Sequence, residues 1–342
     1  MNPAHLTDAL SGWSGDWLPV AFMALMGLAM LIYVVLDGYD LGVGMWMARA
    51  NAEERDVMVA AIGPFWDANE TWLVLGVGLL LIAFPKAQGV VLGALYLPVA
   101  LMLLGLTLRG VAFDFRVKAR DAHKALWNRA FIAGSALASL AQGWMLGRYV
   151  TGFAPGPWPT AFAGLIALSL SAAYLLLGAG WLIIKTEGDL QQRAVRWGKA
   201  VWPLVVIGIG LISLATPLLS PTVRTRWFAL PDFIALLPIP LVTLGALIAV
   251  RVVLNSKLVL DRLSALPFFA TVLVCAMAGI GLAYSLFPYV VMDRITVWQA
   301  ASAHASLQVI GLGAAITVPA ILGYTVFSYR VFRGKASALS YG

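Results

Sequence analysis

Long apolar runs, broken by short polar clusters, dominate the chain. Free of Asp, Glu, Lys and Arg are Leu18–Leu36, Ala87–Leu108, Ala130–Gly147, Tyr149–Ile184, Ala200–Val223, Phe233–Val250, Leu263–Met292 and Ile295–Tyr329. A bilayer is crossed by a helix of about 20 mostly apolar residues. The run from Thr71 to Pro85 reaches that length only if its helix starts near Ile62 and carries Asp67 and Glu70 inside it. Residues 149–184 are too long for one span, and the Pro-Gly stretch Phe153–Pro159 sets a helix start near Thr160. The pattern predicts nine helices, near 19–48, 62–84, 88–111, 125–149, 160–185, 200–219, 232–254, 265–290 and 304–331. Continuous apolar runs exclude a strand-based membrane barrel. The fold class is all-α and polytopic. Residues 1–342 read as a single integral membrane domain, because the loops leave no room for a soluble one.

Charge placement gives the helices a direction. The loops after helices 1, 3, 5 and 7, with the C-terminus, hold 18 of the 23 basic residues. The other side holds only Lys86, Arg148, Arg224, Arg226 and Arg294. Basic residues collect on the cytoplasmic side, so the N-terminus is expected outside and the C-terminus inside. An even number of spans would spoil this segregation. The net charge of +7 follows from topology, and no nucleic-acid partner is needed to explain it. No basic segment precedes the first span, so no cleaved signal peptide is expected. Residues 1–18, with Trp13 and Trp17, read as an interfacial approach segment, and most other tryptophans lie near span ends as an aromatic belt would place them.

Composition sharpens this picture. Hydrophobic residues make up 61% of the 342 and charged residues 11%, against about 45–50% and about 25% in soluble domains. Mean hydropathy is +0.88, and so few charges could not clothe a soluble surface. The single cysteine, Cys275, excludes an internal disulfide and a thiolate metal cluster.

The informative residues are the polar ones at membrane depth, where each charge is costly. Helix 1 carries Asp37 and Asp40 in LDGYDLGVGM, and at i,i+3 they share a face. Gly38, Gly42 and Gly44 beside them allow another backbone to come close. Helix 2 opens with GPFWDANETW, which sets Asp67 and Glu70 at the same spacing around Asn69. Arg109 and Asp114, near the end of helix 3, fall at the same level. Carboxyls crowded out of water favour holding protons, and chains of them relay protons in membrane proteins. A proton uptake path from the cytoplasm is one reading. The other is structural: helix capping, pairing with Arg109 and the loop arginines, or packing against a partner subunit. Of the three histidines, His5 lies in the N-terminal tail, His123 in a basic loop and His304 at the outer edge of a span. No pair has ligand spacing, so no haem or metal ligated by this chain is expected.

The two acidic segments also carry a resemblance. Asp37-Gly38-Tyr39-Asp40-Leu41-Gly42 and Trp66-Asp67-x-Asn69-Glu70-x-Trp72 resemble the signature of the second subunit of cytochrome bd-type quinol oxidases. Phe84-Pro85, Arg109 with Asp114, Phe115 and Arg116, and Trp127-Asn128 also match. So does the ending Pro319-x3-Gly323-Tyr324-x4-Tyr329-x-Val331-Phe332-Arg333-Gly334-Lys335, which is similar to the cyanide-insensitive branch. Ala68 departs from the commoner glycine.

The resemblance implies two four-helix bundles plus a peripheral ninth helix, in a bacterial inner membrane. It implies a heterodimer with a haem-bearing subunit I that carries two b-type haems and one d-type haem, or a b-type in its place. Small single-helix accessory subunits, lipid and quinone are further companions. The complex couples quinol oxidation to reduction of O2 to water, and no complete active site is expected in this chain. On matching positions Asp37, Asp40, Asp67, Glu70 and Asp114 become proton-path candidates, supported by Trp66, Asn69, Trp72 and Arg109. The rival readings are a proton- or cation-coupled secondary transporter and a purely structural scaffold. Against a transporter, the acids cluster toward one face in helices 1 to 3 rather than in repeated broken helices at the midplane.

Overall fold

The structure is a computed structural model that describes residues 16–118 and 121–336, with the backbone alone at 117, 118, 121 and 122. His5, Trp13 and Arg120, and the side chain of Lys118, lie outside the described residues. Nine described helices are long and apolar enough to cross a membrane. They are α1 (Leu18–Trp46), α2 (Trp66–Ala83), α3 (Pro85–Lys118), α4 (Asp121–Val150), α5 (Pro157–Lys185), α6 (Gly188–Leu219), α7 (Pro238–Asn255), α8 (Leu266–Leu286) and α9 (His304–Val331).

The departures from the expected boundaries have local causes. The second helix does not run on from Ile62. A separate helix, Ala52–Ile62, is started by a capping box between Asn51 and Glu54, and after a short turn α2 begins at Trp66. This leaves Asp67 in the first turn of α2. The fifth helix starts at Pro157, three residues before the expected Thr160, because proline lacks only an N–H that a first turn leaves unbonded anyway. α6 begins at Gly188 rather than near 200. Its polar first turns are held by Gln191 Nε2 donating to the Ile183 carbonyl at 2.9 Å and by Arg193 paired with Glu54 at 2.7 Å. α8 stops at Leu286, short of the expected 290, and the chain turns into a small antiparallel hairpin, β1 (Tyr289–Val291) with β2 (Ile295–Thr296).

In chain order α1 to α4 form one group and α5 to α8 a second, and α5 packs against α1 and α4 as well as against α6 and α8. The seam between them is where α5 meets α1 and α4. Glycine makes that seam. A Cβ on Gly42 would collide with the carbonyl of Tyr174, and one on Gly178 would strike the Gly42 backbone, so only hydrogen fits at the crossing. Ser139 and Ser171 share a hydrogen bond across it at 2.7 Å. α9 lies outside the first group, against α2 and α1, and buries only Leu307 and Ser328 along its length.

Candidate functional site

At the end of the bundle that carries most basic residues, α1 is enclosed on every side. Asp37 to Gly44 are buried without a break, because α5 closes on Gly42 while the Tyr174 ring covers Gly38 and Ser135 and Phe131 of α4 cover Gly44. Asp37 and Asp40 are both 0% exposed. Arg109 of α3, 1% exposed, reaches into the same space. Its Nη2 lies 2.7 Å from Asp37 Oδ1 and also pairs with Glu70 of α2. The Trp66 ring stands beside it, 6.0 Å from its Cζ. Asp40 is held differently. Its Oδ2 accepts from Asn69 Nδ2 at 2.8 Å. Two helices thus bring three carboxyls to the neighbourhood of one guanidinium from a third, which pairs with Asp37 and Glu70.

The structure sorts the expected residues. Asp37, Asp40, Glu70, Asn69, Trp66 and Arg109 come together. Asp67 and Asp114 are exposed and stay outside the buried cluster. Trp72 is 2% exposed and donates from Nε1 to Thr325 Oγ1 of α9, while Trp181 donates to the Ala61 carbonyl from the core. These two tryptophans belong to the interior, and the aromatic-belt reading does not hold for them. Arg116 is structural: it pairs with Asp56 and donates to Asn128, each at 2.6 Å, which ties the connecting helix to α3 and α4.

Several atoms of the cluster have no hydrogen-bond partner among the described residues. They are both oxygens of Asp37, Asp40 Oδ1, and Nε and Nη1 of Arg109. The Asp37–Arg109 approach is therefore an ion pair in distance without hydrogen-bond alignment. Buried polar atoms are seldom left so, and their concentration here marks the cluster off from ordinary packing.

A polar chain continues toward the middle of the bundle. Tyr33 lies one turn before Asp37 on α1 and accepts from Gln142 Nε2 at 2.7 Å. Gln142 Oε1 in turn accepts from the Tyr174 hydroxyl at 2.6 Å. Sequence reasoning passed over these three, and it named Tyr329 only within the ending motif and not as a site residue. Gln142, an amide inside the charge-free run Ala130–Gly147, offered a signal by the rule that singled out the acids. Tyr33 and Tyr174 offered none.

Among the described residues there is no group of three His, Cys, Asp or Glu able to hold a metal ion. His304 uses both ring nitrogens on Asp16 and Gln308 at the exposed start of α9.

Comparison with known proteins accounts for the arrangement. The profile of the family "Cytochrome bd terminal oxidase subunit II" matches residues 18–332. The chain is 28% identical over 339 residues to the cytochrome bd ubiquinol oxidase subunit 2 of Bacillus subtilis, covering 92% of this chain and 95% of that one. It is 27% identical over 359 residues to the cytochrome bd-I ubiquinol oxidase subunit 2 of Escherichia coli K12, covering 91% and 93%. A chain of the bd oxidase structure from Geobacillus thermodenitrificans shares the fold with a TM-score of 0.72, at 15% identity, over 94% of this chain and 100% of that chain. With nine spans, acids buried at the basic end and a profile match over nearly its whole length, this chain belongs to the family of subunit II of the cytochrome bd terminal oxidases.

Proposed function

We propose that this subunit takes up protons from the cytoplasm for its oxidase and passes them along buried carboxyls toward a partner subunit. Membership of the family makes the chain a bacterial membrane subunit of an oxidoreductase complex that contains haem and partner subunits. The single observation that carries the proposal is the charge count of the site. Among the described residues Arg109 is the one cation that pairs with the cluster of Asp37, Asp40 and Glu70, and in a low-dielectric interior one cation does not neutralise three carboxylates. Such a cluster holds a proton. Asp67, exposed in the first turn of α2 near Glu70, is the collecting residue, and exposed Asp114 on α3 is a second candidate for that role. Glu70 hands on to Asp37 across Arg109, and Asp40 lies one turn further along α1.

In this reading the basic end faces the cytoplasm and the N-terminus the outside. The partner is a haem-bearing subunit I in a heterodimer. It carries two b-type haems and one d-type haem, or a b-type in its place, and oxidises quinol while O2 is reduced to water. Protons drawn from inside and released from quinol outside charge the membrane without a pumping stroke. Lipid, quinone and small single-helix subunits are the companions of the remaining apolar faces.

Asp67→Asn and Glu70→Gln in the assembled complex test the proposal. The expected result is quinol-driven oxygen uptake slowed several-fold at unchanged haem content. Full rates would overturn it, and haem lost in step with rate would make the acids a scaffold.

A further inference from the structure

α9 exposes nearly all of its length, yet its basic end is tied down by polar contacts. Trp72 Nε1 donates to Thr325 Oγ1 at 3.3 Å. Beyond the helix, Lys185 Nζ donates to the carbonyls of Phe332 and Gly334, and Lys335 Nζ to that of Thr186 at 3.0 Å. Between these ties stands Tyr329. Its hydroxyl lies 2.6 Å from that of Tyr39 and donates to Asn69 Oδ1 at 3.2 Å.

Counting protons fixes the directions. The Asn69 amide nitrogen carries two N–H bonds. One goes to Asp40 Oδ2 at 2.8 Å and the other to the Tyr39 oxygen at 2.9 Å, with the Leu36 carbonyl a longer contact at 3.3 Å. Since Tyr329 donates to Asn69 Oδ1, the Tyr39 proton points to the Tyr329 oxygen. Asn69, Tyr39 and Tyr329 thus close a ring in which each member donates once and accepts once, and such rings reinforce their own bonds. The ring leaves one N–H over, and it is aimed at Asp40. Turned the other way, the amide would set its oxygen against the carboxyl.

We propose that Tyr329 is a positioning residue of the carboxylate site: through the ring with Tyr39 it locks the Asn69 amide with an N–H on Asp40, which makes α9 part of that site. The ring itself stands on geometry, while its effect on turnover rests on the proton-uptake reading. Packing alone does not explain the hydroxyl, since the Tyr329 ring already packs against Phe65 at 4.6 Å, tilted by 34°.

Tyr329→Phe keeps that ring contact and removes only the hydroxyl. Tyr39→Phe opens the same ring without touching α9, should the first variant fail to assemble. The charged groups facing Asp40, namely Asp37 on α1, Glu70 on α2 and Arg109 on α3, are unchanged in both. Two readings are taken on the purified complex: the Asn69 Nδ2 to Asp40 Oδ2 distance by high-resolution structure determination, and the pH profile of quinol-driven oxygen uptake per haem. The expected results are a distance beyond about 3.5 Å and a profile displaced by about one pH unit, the scale of one lost hydrogen bond. Thr325→Val, which loosens α9 outside the ring, keeps the parental profile. An Asn69 that stays on Asp40 in either variant overturns the proposal whatever the profile does. An Asn69 that turns without moving the profile upholds the positioning role and counts against the proton-uptake reading instead.

Discussion

The groups α1–α4 and α5–α8 are built from spans of similar apolar character, but their interiors differ. The first encloses Asp37, Asp40 and Arg109 with Glu70 at its margin, and continues through Tyr33 and Gln142. At its core the second encloses Val201, Val205, Leu247, Val250, Leu254 and Phe268. Among the described residues its one buried charge is Lys185, whose ammonium is taken up by carbonyls just past α9. Lipid tails are as apolar as leucine, so burial alone does not hold membrane helices together. Both groups use close glycine contacts, Gly105 with Gly134 in the first and Gly180 with the Phe268 backbone in the second, but among the described residues the buried carboxyl–arginine pair belongs to the first. The difference separates a part that can move charge from a part that supports it.

The sharpest way to break the comparison is at the seam on which both groups depend. Gly42→Val places methyl groups where the Tyr174 carbonyl already lies. We expect loss of the assembled, haem-containing complex, because overpacking by backbone collision costs at least about 3 kcal/mol. Recovery of a normal complex would show that α1 and α5 do not cross as described.

Next comes a matched pair. Arg109→Leu leaves buried Asp37, and Glu70 at the margin, without their cation, at about 3–5 kcal/mol, and should lower both thermal stability and oxygen uptake per haem. Leu254→Ala opens a cavity in the second group at about 2–4 kcal/mol. Its thermal midpoint should fall while oxygen uptake per remaining haem is retained. If both variants lose turnover in proportion to stability, the division between the groups is not functional.

The smallest effect lies at the opposite end of the bundle. There Asp16 accepts from His304 Nδ1 at 2.8 Å and from the Leu18 N–H at 3.1 Å. The bond to His304 holds the Asp16 carboxyl below its ordinary range. A depressed folded-state value means the contact contributes above about pH 4 and fades as acidity takes the pH down through the folded-state value. Amide protection at Leu18 and in the first turn of α9, taken relative to the intrinsic exchange rate at each pH, should therefore fall at acid pH. Asp16→Asn should remove that pH dependence and leave oxygen uptake unaltered.

Much of the fold is legible in the sequence. Nine apolar runs, the asymmetry of Lys and Arg, and the glycines beside Asp37 and Asp40 anticipate the spans and the closeness of a neighbour. The boundaries that moved did so because hydropathy reports where lipid begins rather than where a helix ends. α6 continues past that level on the contacts of Gln191 and Arg193. The acids show the same limit at the site. Asp37 with Asp40 and Asp67 with Glu70 have identical spacing, yet both members of the first pair are buried while the second splits into an exposed Asp67 and an inward Glu70.

What the sequence determined by itself is therefore the number of crossings, the basic end, and the level at which carboxyls sit. Each is a property of one segment meeting lipid or water, and segment composition sets it. Only the tertiary structure decided which carboxyls share Arg109, that Asn69 turns its N–H to Asp40, and that Tyr329, some 260 residues away in the chain, completes the ring. Spacing along a helix says which side chains share a face. It does not say what that face meets, because the neighbour is supplied by the packing of distant helices.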